Sequence, residues 1–204
     1  MGTNRISGDL VFLEPLKSEE KIQIIDWNKD PEVSKYTEPW DFSEIDSKSI
    51  SFGIHDKISS KLIGDVGISS IDLKNKHAEI GLTIGNKNCW GKGFGTDTVK
   101  TILKYCFEDL KLIKIFLDVW VENERAIGCY IKCGFKKDGI LREHVFKDGT
   151  YHDKLIMSIL DREYKKHVSP TRNFLSLKGS VKSLRKSSDK KMDKNILSYV
   201  KDAR

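Results

Sequence analysis

Long apolar runs and cysteine are both scarce in this chain, and each shortage closes off a class of function. No stretch of the 204 residues approaches the ~20 apolar residues of a helical membrane span, so no membrane partner is expected. The N-terminus, Met1-Gly2-Thr3-Asn4-Arg5, lacks a signal peptide's apolar stretch, and Ile6 stands where an acylation pattern needs Ser or Thr. A soluble, cytoplasmic protein is expected. The four cysteines (Cys89, Cys106, Cys129, Cys133) form no Cys-x-x-Cys pair and the five histidines are scattered, so no metal site is expected. Cys129 and Cys133 stand one helical turn apart and read as small core residues.

Charge is present but uneven. Of the net +6, residues 162–204 hold +9, from thirteen Lys/Arg and four Asp/Glu, which leaves residues 1–161 at −3. The basic character therefore belongs to an extension, 162–204, and not to the domain at 1–161. Within the extension, Phe174, Leu177, Val181 and Leu184, then Met192, Ile196 and Val200, recur at helical spacing. Its lysines and arginines fit a solvated face, a nucleic-acid patch, or a membrane-surface or partner site.

Hydrophobic periodicity predicts a mixed α/β domain. Strands are expected at Asp9–Pro15, Lys61–Ile71, Ala78–Ile84, Lys114–Val121, Lys136–Phe146 and Tyr151–Leu160, with a weak one at Ser51–His55. Helices are expected from Ser18, as N-cap, to Trp27 with Ile22 and Ile25 on one face, from the glycine run near residue 93 to Leu110, and from Asn123 to Cys133 ahead of Gly134. Residues 30–47 read as irregular, with a short helix near Ser43 or Asp46. Asp148-Gly149 reads as a hairpin turn. Strand–helix–strand crossovers in the second half imply a mostly antiparallel sheet flanked by helices.

The most informative run is Trp90-Gly91-Lys92-Gly93-Phe94-Gly95-Thr96-Asp97, between an expected strand and an expected helix. Strand, glycine turn and helix start make an anion-binding geometry: glycines let the backbone approach, and the free N–H groups favour negative charge. The same turn also fits a mere chain reversal. It is neither a phosphate-binding loop, because Gly93 follows Gly91-Lys92, nor a dinucleotide fingerprint, because position 96 is Thr96.

A second cluster follows about thirty residues later, Asn123-Glu124-Arg125-Ala126-Ile127-Gly128-Cys129-Tyr130-Ile131-Lys132-Cys133-Gly134-Phe135. Taken singly, Asn123 is an N-cap and Tyr130 a half-buried aromatic. Together with the glycine run, Asn-x-x-Ala-x-x-x-Tyr-x-x-x-Gly-Phe resembles the GCN5-related N-acetyltransferase (GNAT) superfamily, in the branch of ribosomal-protein N-terminal and spermidine acetyltransferases. The resemblance spans about residues 8–160 and includes Val11–Leu16, Ile63-Gly64-Asp65-Val66, Ala78-Glu79-Ile80-Gly81 and Gly139–Glu143. Trp90 departs from the superfamily's usual Gln or Arg, while Gly93 and Gly95 match.

The resemblance implies a GNAT-like fold and acetyl-CoA as co-substrate, with the acetyl group moved by direct attack of a primary amine in a ternary complex. Backbone N–H groups of Gly91–Asp97 would hold the pyrophosphate. The pantetheine arm would pair like a strand with Leu82-Thr83-Ile84, and Asn123 would bond the same arm. Tyr130, a phenol protonated at neutral pH, suits the acid that protonates the departing thiolate. Glu79 is the candidate base, acting through water, and a strand N–H near Leu82 the oxyanion donor. Glu38, Trp40 and Asp41, in an acidic and aromatic segment, suit a cationic acceptor through charge and cation–π contact. A polyamine, a protein N-terminus, an aminoglycoside and an amino sugar all fit. Two alternatives stand beside this reading: a non-catalytic acetyl-CoA-binding module, and an enzyme anchored to RNA or the ribosome by the basic extension. A homodimer is also open.

Overall fold

The computed structural model describes residues 5–37 and 49–168. They build one eight-stranded sheet flanked by helices. The strands are β1 (Ile6–Ser7), β2 (Val11–Pro15), β3 (Ile50–Asp56), β4 (Leu62–Asp72), β5 (His77–Thr83), β6 (Lys114–Trp120), β7 (Lys136–Lys147) and β8 (Thr150–Leu160). The helices are α1 (Ser18–Asn28), α2 (Phe94–Lys104), α3 (Glu124–Lys132) and α4 (Asp161–Val168). The sheet order is β1-β2-β3-β4-β5-β6-β8-β7. Every pairing is antiparallel except β5 with β6. The expected mixed sheet with flanking helices is the fold observed.

Alternation along the strands sorts two faces. Leu13, Phe52, Ile54, Val66, Ile68, Ala78, Ile80, Ile115 and Leu117 are buried on one of them, with Val99, Ile102 and Leu103 of α2 in the same core. Register assigns the other face: Asp65 lies opposite Gly53 and Thr83, Gly67 opposite Ser51 and Gly81, and Ser69 opposite Glu79. Residues directly opposite share a face, so this second face is built from acids, serines and glycines. Part of it is roofed by α1. A Cβ at Gly53 would come within 3.0 Å of the Glu20 carboxylate, and one at Gly85 would overlap the Trp27 ring at 2.1 Å.

Three expectations change. In α1 the buried residue is Ile24, while Ile22 and Ile25 are 65% and 45% exposed; the helix turns its Ile24 line to the sheet. Ser18 is the first helical residue and Lys17 the cap, its N–H donating to the Glu20 carboxylate at 3.0 Å. The helix after the glycine run ends at Lys104, and a π-turn carries the chain to Asp109, closed by Leu110 N–H to Tyr105 C=O at 3.0 Å. The wider turn lets consecutive Tyr105, Cys106 and Phe107 all be buried. Finally, the strand expected to be weak at Ser51–His55 is an inner strand whose Phe52 and Ile54 are fully buried. The expected helix near Ser43 and the helices of the extension lie outside the described residues.

Candidate active site

The end of β5 and the start of α2 are locked together by one loop. The Trp90 indole N–H donates to Ile84 C=O at 2.6 Å, folding the loop back on the strand end. Gly91 and Gly93 then take φ of +72° and +92°, a conformation strained for any residue with a Cβ. Gly93 is the N-cap of α2, its C=O accepting from Asp97 N–H at 2.9 Å. The N–H groups of Phe94, Gly95 and Thr96 are consequently the ones without an intrahelical acceptor. Free N–H groups so placed can receive an anion, and this candidate cradle has Gly91, Lys92 and Gly93 exposed at its lip.

Asp97 does something else. Its carboxylate is buried and accepts from the N–H groups of Asp9 (3.2 Å), Leu10 (2.7 Å) and Val11 (3.0 Å). It ties the β1–β2 turn to α2. The close packing there is such that a Cβ at Gly8 would meet Thr101 and Asp97 at 2.3 and 2.5 Å. Neither its amide, engaged with Gly93, nor its carboxylate is available to an anion.

Upstream of the cradle the sheet opens. The parallel ladder pairs His77, Ala78 and Glu79 with Lys114, Ile115 and Phe116, and stops there. On its other side β5 stays paired to β4 as far as Thr83. From Ile80 to Thr83, then, the edge of β5 that faces β6 has no strand partner. Leu82, Thr83 and Ile84 are partly buried along this stretch, which leads directly into the cradle. An open edge of that kind can be completed by an amide-bearing chain.

Helix α3 docks on the cradle helix through its cysteines. Thr96 Oγ1 lies 3.4 Å from Cys129 Sγ, and the Cys133 thiol points to Thr96 C=O at 3.6 Å. Asn123 caps α3, its Oδ1 accepting from Ala126 N–H at 3.2 Å, which leaves its amide NH₂ for other partners. Tyr130 is buried, with its ring 5.6 Å from that of Phe135. Burial, then the neighbouring Cys129, pushes its phenol above the usual range, so it keeps its proton at neutral pH. Glu79 stands on the acidic face at the point where β5 and β6 part, and its carboxylate accepts from the Ser70 hydroxyl at 3.1 Å.

Glu38, Trp40 and Asp41 lie outside the described residues. The described chain up to Thr37 is held to the end of β7. Lys147 Nζ donates to the carbonyls of Ser34 and, at 3.1 Å, Thr37. Tyr36 meets Trp120 edge-on at 6.1 Å, and Trp120 is also 4.5 Å from His152. Two residues escaped the sequence reading. Asp65 is 5% exposed, and burial pushes its carboxyl up to about 7; the signal was an acid inside the apolar run Ile63–Ile68. Arg125 sits with its guanidinium carbon 3.7 Å from the Trp90 ring centroid; nothing local to either residue announces that contact.

The family model "Acetyltransferase (GNAT) domain" matches residues 11–136. An uncharacterized N-acetyltransferase, p20, of Bacillus licheniformis is 30% identical over 74% of this chain and 93% of its own length. The spermidine N(1)-acetyltransferase of Vibrio cholerae is 33% identical over 77% of this chain and 90% of its own. A crystal structure of spermidine N-acetyltransferase from Vibrio cholerae, in complex with CoA and spermine, superposes with a TM-score of 0.69 at 31% identity, covering 76% of this chain and 98% of that one. The cradle at Phe94–Thr96, the parted strands and the capped α3 are thus those of a protein that belongs to the GNAT acetyltransferase family, enzymes that carry an acetyl group from acetyl-CoA to an amine.

Proposed function

We propose that the acceptor is an aliphatic polyamine of the spermidine and spermine class, with Glu79 as base and Tyr130 as acid. The observation that carries this reading is the parting of β5 from β6 at Glu79 and Phe116. It leaves an open strand edge running from Glu79 to the amide cradle, and it puts that carboxylate at the edge's far end. The face around Glu79 suits a thin, flexible cation: Gly81, two residues on along β5, is exposed, and a Cβ there would meet nothing within 4 Å. The Glu79 carboxylate complements an ammonium group of such a chain.

In this reading the pyrophosphate rests on the N–H groups of Phe94, Gly95 and Thr96, and the pantetheine arm lies along Leu82-Thr83-Ile84 with Asn123 beside it. Trp90, Gly91, Lys92 and Gly93 shape the loop. The amine must lose a proton to attack, since an alkylamine of pKa ~10 is charged at neutral pH. Glu79 takes that proton through water. The nitrogen bonds the acetyl carbon, and a strand N–H near Leu82 faces the oxygen as it becomes anionic. The carbon–sulfur bond then breaks, and Tyr130 gives its proton to the leaving thiolate.

The test is thiol release from acetyl-CoA with a panel of amines. Spermidine and spermine should exceed peptides, aminoglycosides and amino sugars by at least ~10-fold in kcat/KM, a difference of ~1.4 kcal/mol. Faster turnover of an N-terminal peptide would replace the polyamine. Tight CoA binding with no thiol released by any amine would instead favour the non-catalytic module. The anchoring role of the basic extension and a homodimer rest on residues and partners beyond those described, and the acceptor assay is independent of both.

A further inference from the structure

Trp90 and Arg125 come from different segments and form one unit beside the cradle. The indole is fixed in place by its N–H bond to Ile84 C=O at 2.6 Å. The Arg125 guanidinium carbon lies 3.7 Å from the ring centroid, within cation–π range. A cation–π contact uses the guanidinium's charge without taking up its N–H donors in hydrogen bonds. No carboxylate pairs with those donors among the described residues.

The position is electrostatically unfavourable for a cation. Arg125 is the second residue of α3, at the positive end of that helix dipole. The cradle at the start of α2, also a positive end, is packed on the same helix through Thr96 and Cys129. Lys92 is exposed at the lip. Through the Arg125–Trp90 contact the start of α3 meets the loop that leads into the cradle and carries Lys92, with Glu124 the acid next to Arg125 in sequence. Such a concentration of positive potential is relieved by an anion carrying more charge than the three cradle amides can satisfy.

CoA has that extra charge: besides its pyrophosphate it bears a phosphate on the ribose 3′ oxygen. We infer that Arg125, held over Trp90, is the receptor for the 3′-phosphate of CoA. The pair makes the enzyme read the nucleotide end of its donor, and it disfavours thioesters carried on a pantetheine without that phosphate. The inference rests on acetyl-CoA as the co-substrate and is independent of which amine is acetylated.

The test is calorimetric binding to the full chain, with no amine present, of CoA and 3′-dephospho-CoA. The native protein should bind CoA about tenfold or more tighter than the dephospho form, a charge-assisted bidentate bond being at stake. Arg125→Gln should weaken CoA by about that factor and leave 3′-dephospho-CoA within twofold, so that the preference collapses. Arg125→Lys, which keeps the charge and loses the guanidinium, should retain part of the preference and serves the same comparison if the Gln variant melts early. Equal weakening of both ligands, or undiminished preference in Arg125→Gln, would overturn the inference. Because binding is read without turnover, a failure to acetylate polyamines would leave this result intact.

Discussion

Asp65 is an acid flanked by Gly64 and Val66 inside a strand that is buried on both faces. It has no hydrogen-bond partner among the described residues, and burial alone lifts its carboxyl from 3.8 to about 7. The sign of its effect on stability follows. Between those two values the folded chain holds a proton that the unfolded chain releases, so unfolding gains in favour as pH rises. Replacing Asp65 by Asn removes that slope: relative to the variant, the native protein should lose up to ~4 kcal/mol between pH 4 and pH 7.5. Denaturant melts of both proteins at the two pH values measure it, and parallel curves would mean the carboxyl is solvated. Tyr130 is the opposite case, a group whose burial suits the acid role proposed for it. Raised well above the usual phenol range, it stays protonated, as an acid for a leaving thiolate must. Tyr130→Phe should lower kcat by ~10²–10⁴-fold with CoA affinity unchanged. A rate within threefold of the native enzyme would leave Tyr130 with its packing role against Phe135 only.

At the scale of elements, what was legible in the sequence is what local chemistry dictates. The β7–β8 hairpin announced itself through Asp148-Gly149, both of which take positive φ, 52° and 80°, as the tight turn demands. The Gly91–Gly93 turn and the Asn123 cap were equally local, and each appears where its residues put it. Elements decided by their neighbours were not legible. The strand β3 reads as weak because His55, Gly53 and Ser51 interrupt its apolar residues, and pairing on both sides makes it an inner strand. The apolar positions of α1 were visible, but which of them meets the sheet depends on how the helix lies across Gly53 and Gly85. The same division runs through the site. The glycines and Tyr130 could be picked out from motif spacing, whereas the capture of Asp97 by Asp9–Val11 and of Arg125 by Trp90 joins residues far apart in the chain. Nor did any residue pattern announce that β5 and β6 part after Glu79; that opening arises from register.

For the molecule as a whole, the sequence division at 161/162 follows the change of charge, and the core follows packing. Helix α4 begins at Asp161, and its Tyr164 is 6% exposed, 5.0 Å from the Phe107 ring and bonded through its hydroxyl to Glu108 at 3.1 Å. Glu163 accepts from Lys136 at 2.6 Å and from Leu160 N–H at 3.1 Å, and His167 reaches Lys132 C=O at 3.0 Å. These contacts link β8, the π-turn and the end of α3, the helix that carries Tyr130. Burying a side chain of this size contributes ~1.5–3 kcal/mol, while the exposed Lys136 pair adds little. A chain ending at Val168 should therefore melt about 5–10 °C above one ending at Leu160, at the ~2–4 °C per kcal/mol usual for this size. Because Gly134, the C-terminal stop of α3, packs against both Ile159 and His167, the shorter chain should also bind CoA more weakly. Equal melting temperatures for the two chains would return the boundary of the catalytic domain to residue 161. The expected gap moves it to the end of α4 and leaves the bulk of the positive charge, seven of the nine net units, on residues 169–204.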